Sequence, residues 1–136
     1  MTKQIIRIEH PSDNKGLFRS MSDGDTRLKK HSQWNSIENR HCNMNKFPTY
    51  WCDDELKVRV KLIEGDIDEM DKYYFAFHSL EVLNEALTTD ELKEAINDLG
   101  FRVYMIEVDS CLESQYQVMF KPEHVTSKKD ISFMFI

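Results

Sequence analysis

The sequence predicts a single α+β domain over residues 1–136, with a mixed or antiparallel sheet of about five or six strands and a pair of short helices packed on it. Three observations carry this reading. Short runs rich in β-branched and aromatic residues recur between turn residues. Two helical periods stand in tandem between Ser79 and Gly100. The chain is 40% apolar, with eight Phe, five Tyr and two Trp, which is enough to build one core without disulfides or a structural metal.

The first run, Gln4 to His10, reads as a strand that stops at Pro11, where a fixed φ and a missing N–H end the ladder. From Ser12 to about Tyr50 polar residues predominate, with apolar anchors only at positions such as Leu17, Phe18, Leu28, Trp34 and Ile37. This is a long irregular insertion, of the kind that in a compact domain is either a functional loop or an element whose signal the sequence hides. Leu56 to Ile63 alternates apolar and cationic side chains, which predicts a half-exposed edge strand guarded by Lys57, Arg59 and Lys61.

Tyr73 to Phe77 is predicted as a buried strand running into His78 and Ser79. Ser79 is placed to cap a helix with apolar positions Leu80, Leu83, Ala86 and Leu87, and Glu81 sits favourably in its first turn. Thr88 and Glu91 form a T-x-x-E capping box for a second helix, whose Leu92, Ala95, Ile96 and Leu99 repeat at helical spacing before a left-handed Gly100. Phe101 to Val108 and Gln115 to Phe120 are predicted as strands. Lys121 and Pro122 stop the second, and the apolar "ISFMFI" closes the chain.

Charge is uneven along the sequence. Met1 to Lys46 carries nine Lys/Arg against five Asp/Glu, a balance of +4, whereas Phe47 to Ile136 carries nine against nineteen, a balance of −10. A nucleic-acid binder needs a dominant basic surface, which this chain lacks outside the neighbourhood of Arg27, Lys29, Lys30 and Arg40. The acidic remainder suits solubility or docking to a basic protein surface. No basic start leads into an apolar run and no stretch of about eighteen apolar residues occurs, so a cytoplasmic protein without a membrane span is expected. Cys42, Cys52 and Cys111 are expected as reduced thiols.

No phosphate-binding loop, dinucleotide fingerprint or nucleophile elbow is present. The spacing of His31, His41, Cys42 and Cys52 does not make a zinc knuckle, and Asp66, Asp68 and Glu69 lack the full calcium-loop pattern, so neither metal nor cofactor is expected. What remains is a set of polar side chains at strand ends. Arg7, His78, Ser79, Gln115 and Gln117 are the ligand-binding candidates, Arg7 as a bidentate partner for a phosphate and Ser79 as a hydroxyl. The plainer reading makes Ser79 a cap and His78 a packed residue. Trp34, Tyr50 and Trp51 are the partner-binding candidates, as large aromatic anchors on the insertion.

The order "IIRIEH", "GLFRS", "FPTYWCDD", "YFAFHSLEVL", "LGFRVYMIEV" and "QVMF" resembles a group of small proteins common in bacteriophage genomes, over nearly the whole chain. That resemblance implies an accessory protein that binds a host protein, with inhibition of a host defence as one outcome. The same order also resembles compact ADP-ribosyltransferase-like domains, which implies a nucleotide, NAD or ADP-ribose ligand, with Arg7, Ser79 and Gln115 at the matching positions. Gln117 then stands where that family has its catalytic Glu. A neutral amide cannot stabilise a developing oxocarbenium ion as a carboxylate does, so the resemblance implies binding without transfer.

Overall fold

The computed structural model describes residues 2–12, 53–66, 69, 73–86 and 90–132. Nearly all of the 12–50 insertion, together with Trp51, Cys52, Thr88 and the last four residues, lies outside the described residues. In chain order the elements are β1 (Lys3–Glu9), α1 (Asp54–Glu64), β2 (Tyr74–Ala76), α2 (Leu80–Ala86), α3 (Asp90–Asp98), β3 (Arg102–Val108), β4 (Leu112–Glu113), β5 (Val118–Phe120), a 3-10 turn (Pro122–His124) and β6 (Val125–Asp130).

The strands form two three-stranded antiparallel sheets, ordered β1-β3-β6 and β2-β5-β4. Phe77 joins them. Its N–H and C=O exchange bonds with Ile6 at 2.7 and 2.9 Å, so the order runs β6-β3-β1-β2-β5-β4 across an antiparallel bridge. The α+β class is therefore as the sequence predicts.

Alternation along the strands sorts the core into two faces. On one face, Ile6, Ile8, Val103 and Phe77 meet Leu83 of α2 and Ile96 of α3. Farther along the same face, Phe75 and Met119 meet Leu56 and Val60 of α1. All three helices thus cover one side. The opposite side gathers Ile5, Ala76, Ile106, Val108, Val118 and Phe120. Here too lie Arg7 and Glu9, at the next two alternate positions after Ile5 along β1.

The Leu56 to Ile63 segment is a helix, which corrects the edge-strand expectation. Its apolar residues fit both periods, because Leu56, Val60 and Ile63 also recur at i, i+4 and i+7. The ends decide the matter. Asp53 Oδ1 accepts the Leu56 N–H at 3.2 Å, Asp54 and Glu55 occupy the first turn, and Gly65 at φ +87° returns its N–H to Lys61 O. Asp54–Lys57 and Glu55–Arg59 ion pairs at helical spacing add to this. As a result Val58 and Leu62, assigned to the core side by the strand reading, are exposed.

Two further boundaries move. The strand expected from Gln115 begins only at Val118, because Ser114 Oγ accepts the N–H groups of Tyr116 and Gln117 and holds Ser114–Gln117 as the β4–β5 turn. The last described strand is the polar Val125–Asp130 rather than the apolar segment after it. It is an edge strand with most side chains in water, so it lacks the apolar signal of a buried one. The tandem helices and the left-handed Gly100, at φ +89°, match expectation. A methyl group on Gly100 would stand 2.9 Å from His10 Nε2, so this turn also needs a residue without Cβ for close packing.

Candidate functional site

A cleft of about 420 Å³ opens where the start of α1, the β4–β5 turn and the start of α2 meet. Glu55, Arg59, His78, Val82, Glu113, Ser114 and Gln115 line it. Its scaffold is Asp53, which is only 2% exposed. While one carboxylate oxygen caps α1, the other accepts Ser114 Oγ–H at 2.6 Å and Gln117 Nε2–H at 3.1 Å. Glu55 Oε1 accepts the Gln115 N–H at 3.1 Å and its other oxygen meets Arg59 at 3.4 Å. The helix N-terminus and the turn are therefore fastened by two carboxylates.

His78 closes the third side. Its Nε2 lies 2.6 Å from Ser114 O, and a carbonyl can only accept, so Nε2 carries the proton. In the neutral ring this leaves Nδ1 as the acceptor. Ser79 Oγ accepts the Val82 N–H at 3.3 Å and is the cap of α2. The cleft thus offers donors, acceptors and both signs of charge, but its hydroxyl is committed to Asp53. Cys111 lies outside the cleft, and burial together with Glu113 pushes its thiol pKa up, away from a reactive thiolate.

The structure brings His78 and Gln115 into one cleft, ties Gln117 to its Asp53 scaffold, and sets Ser79 at its α2 edge. Arg7 is elsewhere. It lies on the face without described helices, 1% exposed, its Nε bonded to Glu9 Oε2 at 2.8 Å and its Nη1 donating to Phe75 O at 2.7 Å. Its guanidinium sits 4.6 Å from the Tyr74 ring centroid. Lys128 pairs with the other oxygen of Glu9 while lying over Tyr104. This buried cluster joins β1 to β2 and to the edge strand β6.

A family model described as Bacteriophage T4 Y00F protein matches residues 1–134. The chain belongs to this phage protein family. Neither the curated proteins nor the solved structures compared with it gave a match.

In this Y00F family member, sequence reasoning missed Asp53, Glu55, Arg59 and Ser114. With Leu56 to Ile63 read as a strand, Asp53 could not be seen as a helix cap. Asp-Asp-Glu before an apolar-periodic run was the available signal. Trp34, Tyr50 and Trp51 lie outside the described residues. Among the described residues, no group of three or more His, Cys, Asp or Glu is placed to hold a metal ion, and no helix is long and apolar enough to cross a membrane.

Proposed function

We propose that this phage protein is an accessory protein that acts by binding a basic surface of a host protein, inhibition of a host defence being one outcome of such binding. The observation that supports this is the outer surface of the α2–α3 layer. Glu81, Glu85, Asp90, Glu94 and Asp98 are all exposed there, and neither helix has a basic residue in its last turn. Glu81 and Asp90 suit the N-terminal ends of the helix dipoles, but Glu85 and Asp98 stand in last turns and oppose them, at about 0.3–1 kcal/mol each. Folding alone does not call for carboxylates at those C-terminal ends, whereas a cationic partner does.

The test is affinity capture from host extract by the wild-type chain and by Glu94→Lys/Asp98→Lys. The expected result is a host protein with a basic surface that is retained at low ionic strength, released by salt, and lost in the variant, whose melting temperature is kept. Equal capture by both chains would remove the acidic layer from the proposal. A contribution from the insertion is part of the same reading. Replacing Trp34, Tyr50 and Trp51 together with Ala is expected to weaken capture at least tenfold with the fold intact.

A nucleotide or ADP-ribose site built on Arg7, His78, Ser79 and Gln117 is not adopted. Arg7 is on the opposite face of the sheet from the α2 cap and is already engaged by Glu9 and Phe75.

A further inference from the structure

One peptide unit, the one joining Ser114 to Gln115, organises the cleft between α1, the β4–β5 turn and α2. His78 Nε2 donates to its carbonyl at 2.6 Å, and Glu55 Oε1 accepts its N–H at 3.1 Å. In a trans peptide these two groups point opposite ways, so His78 stands on one side of the unit and Glu55 on the other. Arg59 continues the row beyond Glu55, at 3.4 Å. Val82 adds apolar wall, and a volume of about 420 Å³ is that of a ligand pocket.

The charges of this cleft are already matched. Glu55 faces Arg59, and Glu113 holds Lys3 at 3.1 Å. An anionic guest would sit beside Glu55 with Asp53 beneath, and a cationic one beside Arg59 unless it displaced Arg59 or Lys3; like charges held together oppose binding. The groups with hydrogen-bonding capacity left over among the described residues are different in kind. His78 Nδ1 accepts, Arg59 has further N–H groups to donate, and the Gln115 side-chain amide does both. An N–H for one end and a C=O for the other, on an uncharged frame, is the chemistry of a polypeptide main chain. His78 and Arg59 stand apart by one peptide unit and one carboxylate, a separation that about three residues of extended chain cover at about 3.3 Å each.

We propose that the cleft binds an uncharged, extended segment of polypeptide about three residues long, one of its N–H groups donating to His78 Nδ1 and one of its carbonyls accepting from Arg59. The inference rests on the reading of this chain as a binder of a host protein, and it names the part of the partner that enters at the start of α2.

Titration of the full chain with capped trialanine, N-acetyl-Ala-Ala-Ala-N-methylamide, followed by nuclear magnetic resonance, tests this without host extract. Saturable binding is expected with a dissociation constant of about 0.1–1 mM, as suits a ligand of that size. The Gln115 amide and the His78 Nδ1 nitrogen should both shift, the second because it gains a donor. Removing either cap introduces one charge: N-acetyl-trialanine is an anion and trialanine N-methylamide a cation. Each is expected to bind at least tenfold more weakly, and so is the single-residue N-acetyl-Ala-N-methylamide, which spans too little. Arg59→Met should weaken capped trialanine at least tenfold, loss of a bond from a charged donor, with the melting temperature kept because Arg59 is half in water. A charged form that binds as tightly as the capped one overturns the proposal. So does a wild-type titration without saturation, an unmoved His78 Nδ1 nitrogen, or undiminished binding by Arg59→Met. Host capture that persists beside a flat peptide titration removes the cleft and leaves the host-binding reading; peptide binding without host capture does the reverse.

Discussion

Among the described residues, Glu9 and Asp53 are both carboxylates buried almost completely, and they are partnered in opposite ways. Glu9, on the face of the sheet away from the helices, is neutralised by two cations, Arg7 and Lys128. Asp53, beneath α1, is surrounded by neutral donors, namely the Leu56 amide, the Ser114 hydroxyl and the Gln117 side-chain amide. The first arrangement fixes strands to one another. The second fixes a helix to a turn and thereby shapes the cleft. The difference shows what each carboxylate is exposed to on mutation: removing Glu9 leaves buried charge behind, whereas removing Asp53 leaves only uncharged donors.

That contrast is broken most directly at Glu9. Glu9→Ala leaves Arg7 and Lys128 facing each other across a buried site, and a cost of about 3–5 kcal/mol is expected in denaturant melts. Replacing Arg7 and Glu9 together by Met and Leu removes both charges of the pair and is expected to cost at least 2 kcal/mol less than Glu9→Ala alone. If the double variant is as unstable as the single one, the cluster is held by packing rather than by charge pairing.

Asp53→Ala is the next step down. It removes a helix cap and leaves the Ser114 and Gln117 donors without their acceptor, with an expected loss of about 2–3 kcal/mol. Hydrogen exchange should localise the change to the first turn of α1 and to the Ser114–Gln117 turn, leaving the β1–β3 ladder protected. Uniform loss of protection would mean that Asp53 supports the whole core and not this junction.

The smallest effect belongs to an exposed pair that calibrates the other two. Hydrogen bonds from Ser132 and the charge and hydrogen bond of Arg102 depress the Asp130 carboxyl to about 2, against an ordinary value of 3.8. Because the folded pKa lies below the unfolded one, its contribution is complete above the ordinary carboxylate range and is lost as pH falls through that range toward 2. Asp130→Asn should flatten the acid limb of the stability profile between pH 4 and 2 only slightly, since solvent screens the pair. A large change there would mean that the β6 edge matters more to stability than its exposure implies.

Much of the fold was legible because local signals agreed with one another. Ser79 before Leu80, and Gly100 after the last helical turn, mark ends whose backbone groups need those residues, and the buried β1 and β3 strands carry enough β-branched residues to read as strands. Leu56 to Ile63 misled because its apolar spacing serves two periods, and the strand Val125–Asp130 was hidden because an edge strand has no need of apolar alternation. For the site, His78 and Gln115 were legible as polar groups at the ends of apolar runs. Their company was not, since Glu55 and Arg59 reach the cleft only from a helix.

The sequence by itself determined the α+β class, the tandem helices with the Ser79 cap and the left-handed Gly100, and the uneven charge, because each of these depends on neighbours within a few residues along the chain. Only the tertiary structure decided that Arg7 turns away from His78 and Ser79, that Asp53 ties α1 to a turn some sixty residues later, and that Val58 and Leu62 remain in water. Those outcomes depend on which face of a strand or helix meets the core, and a two-residue period states that faces alternate without stating which of them the helices will cover.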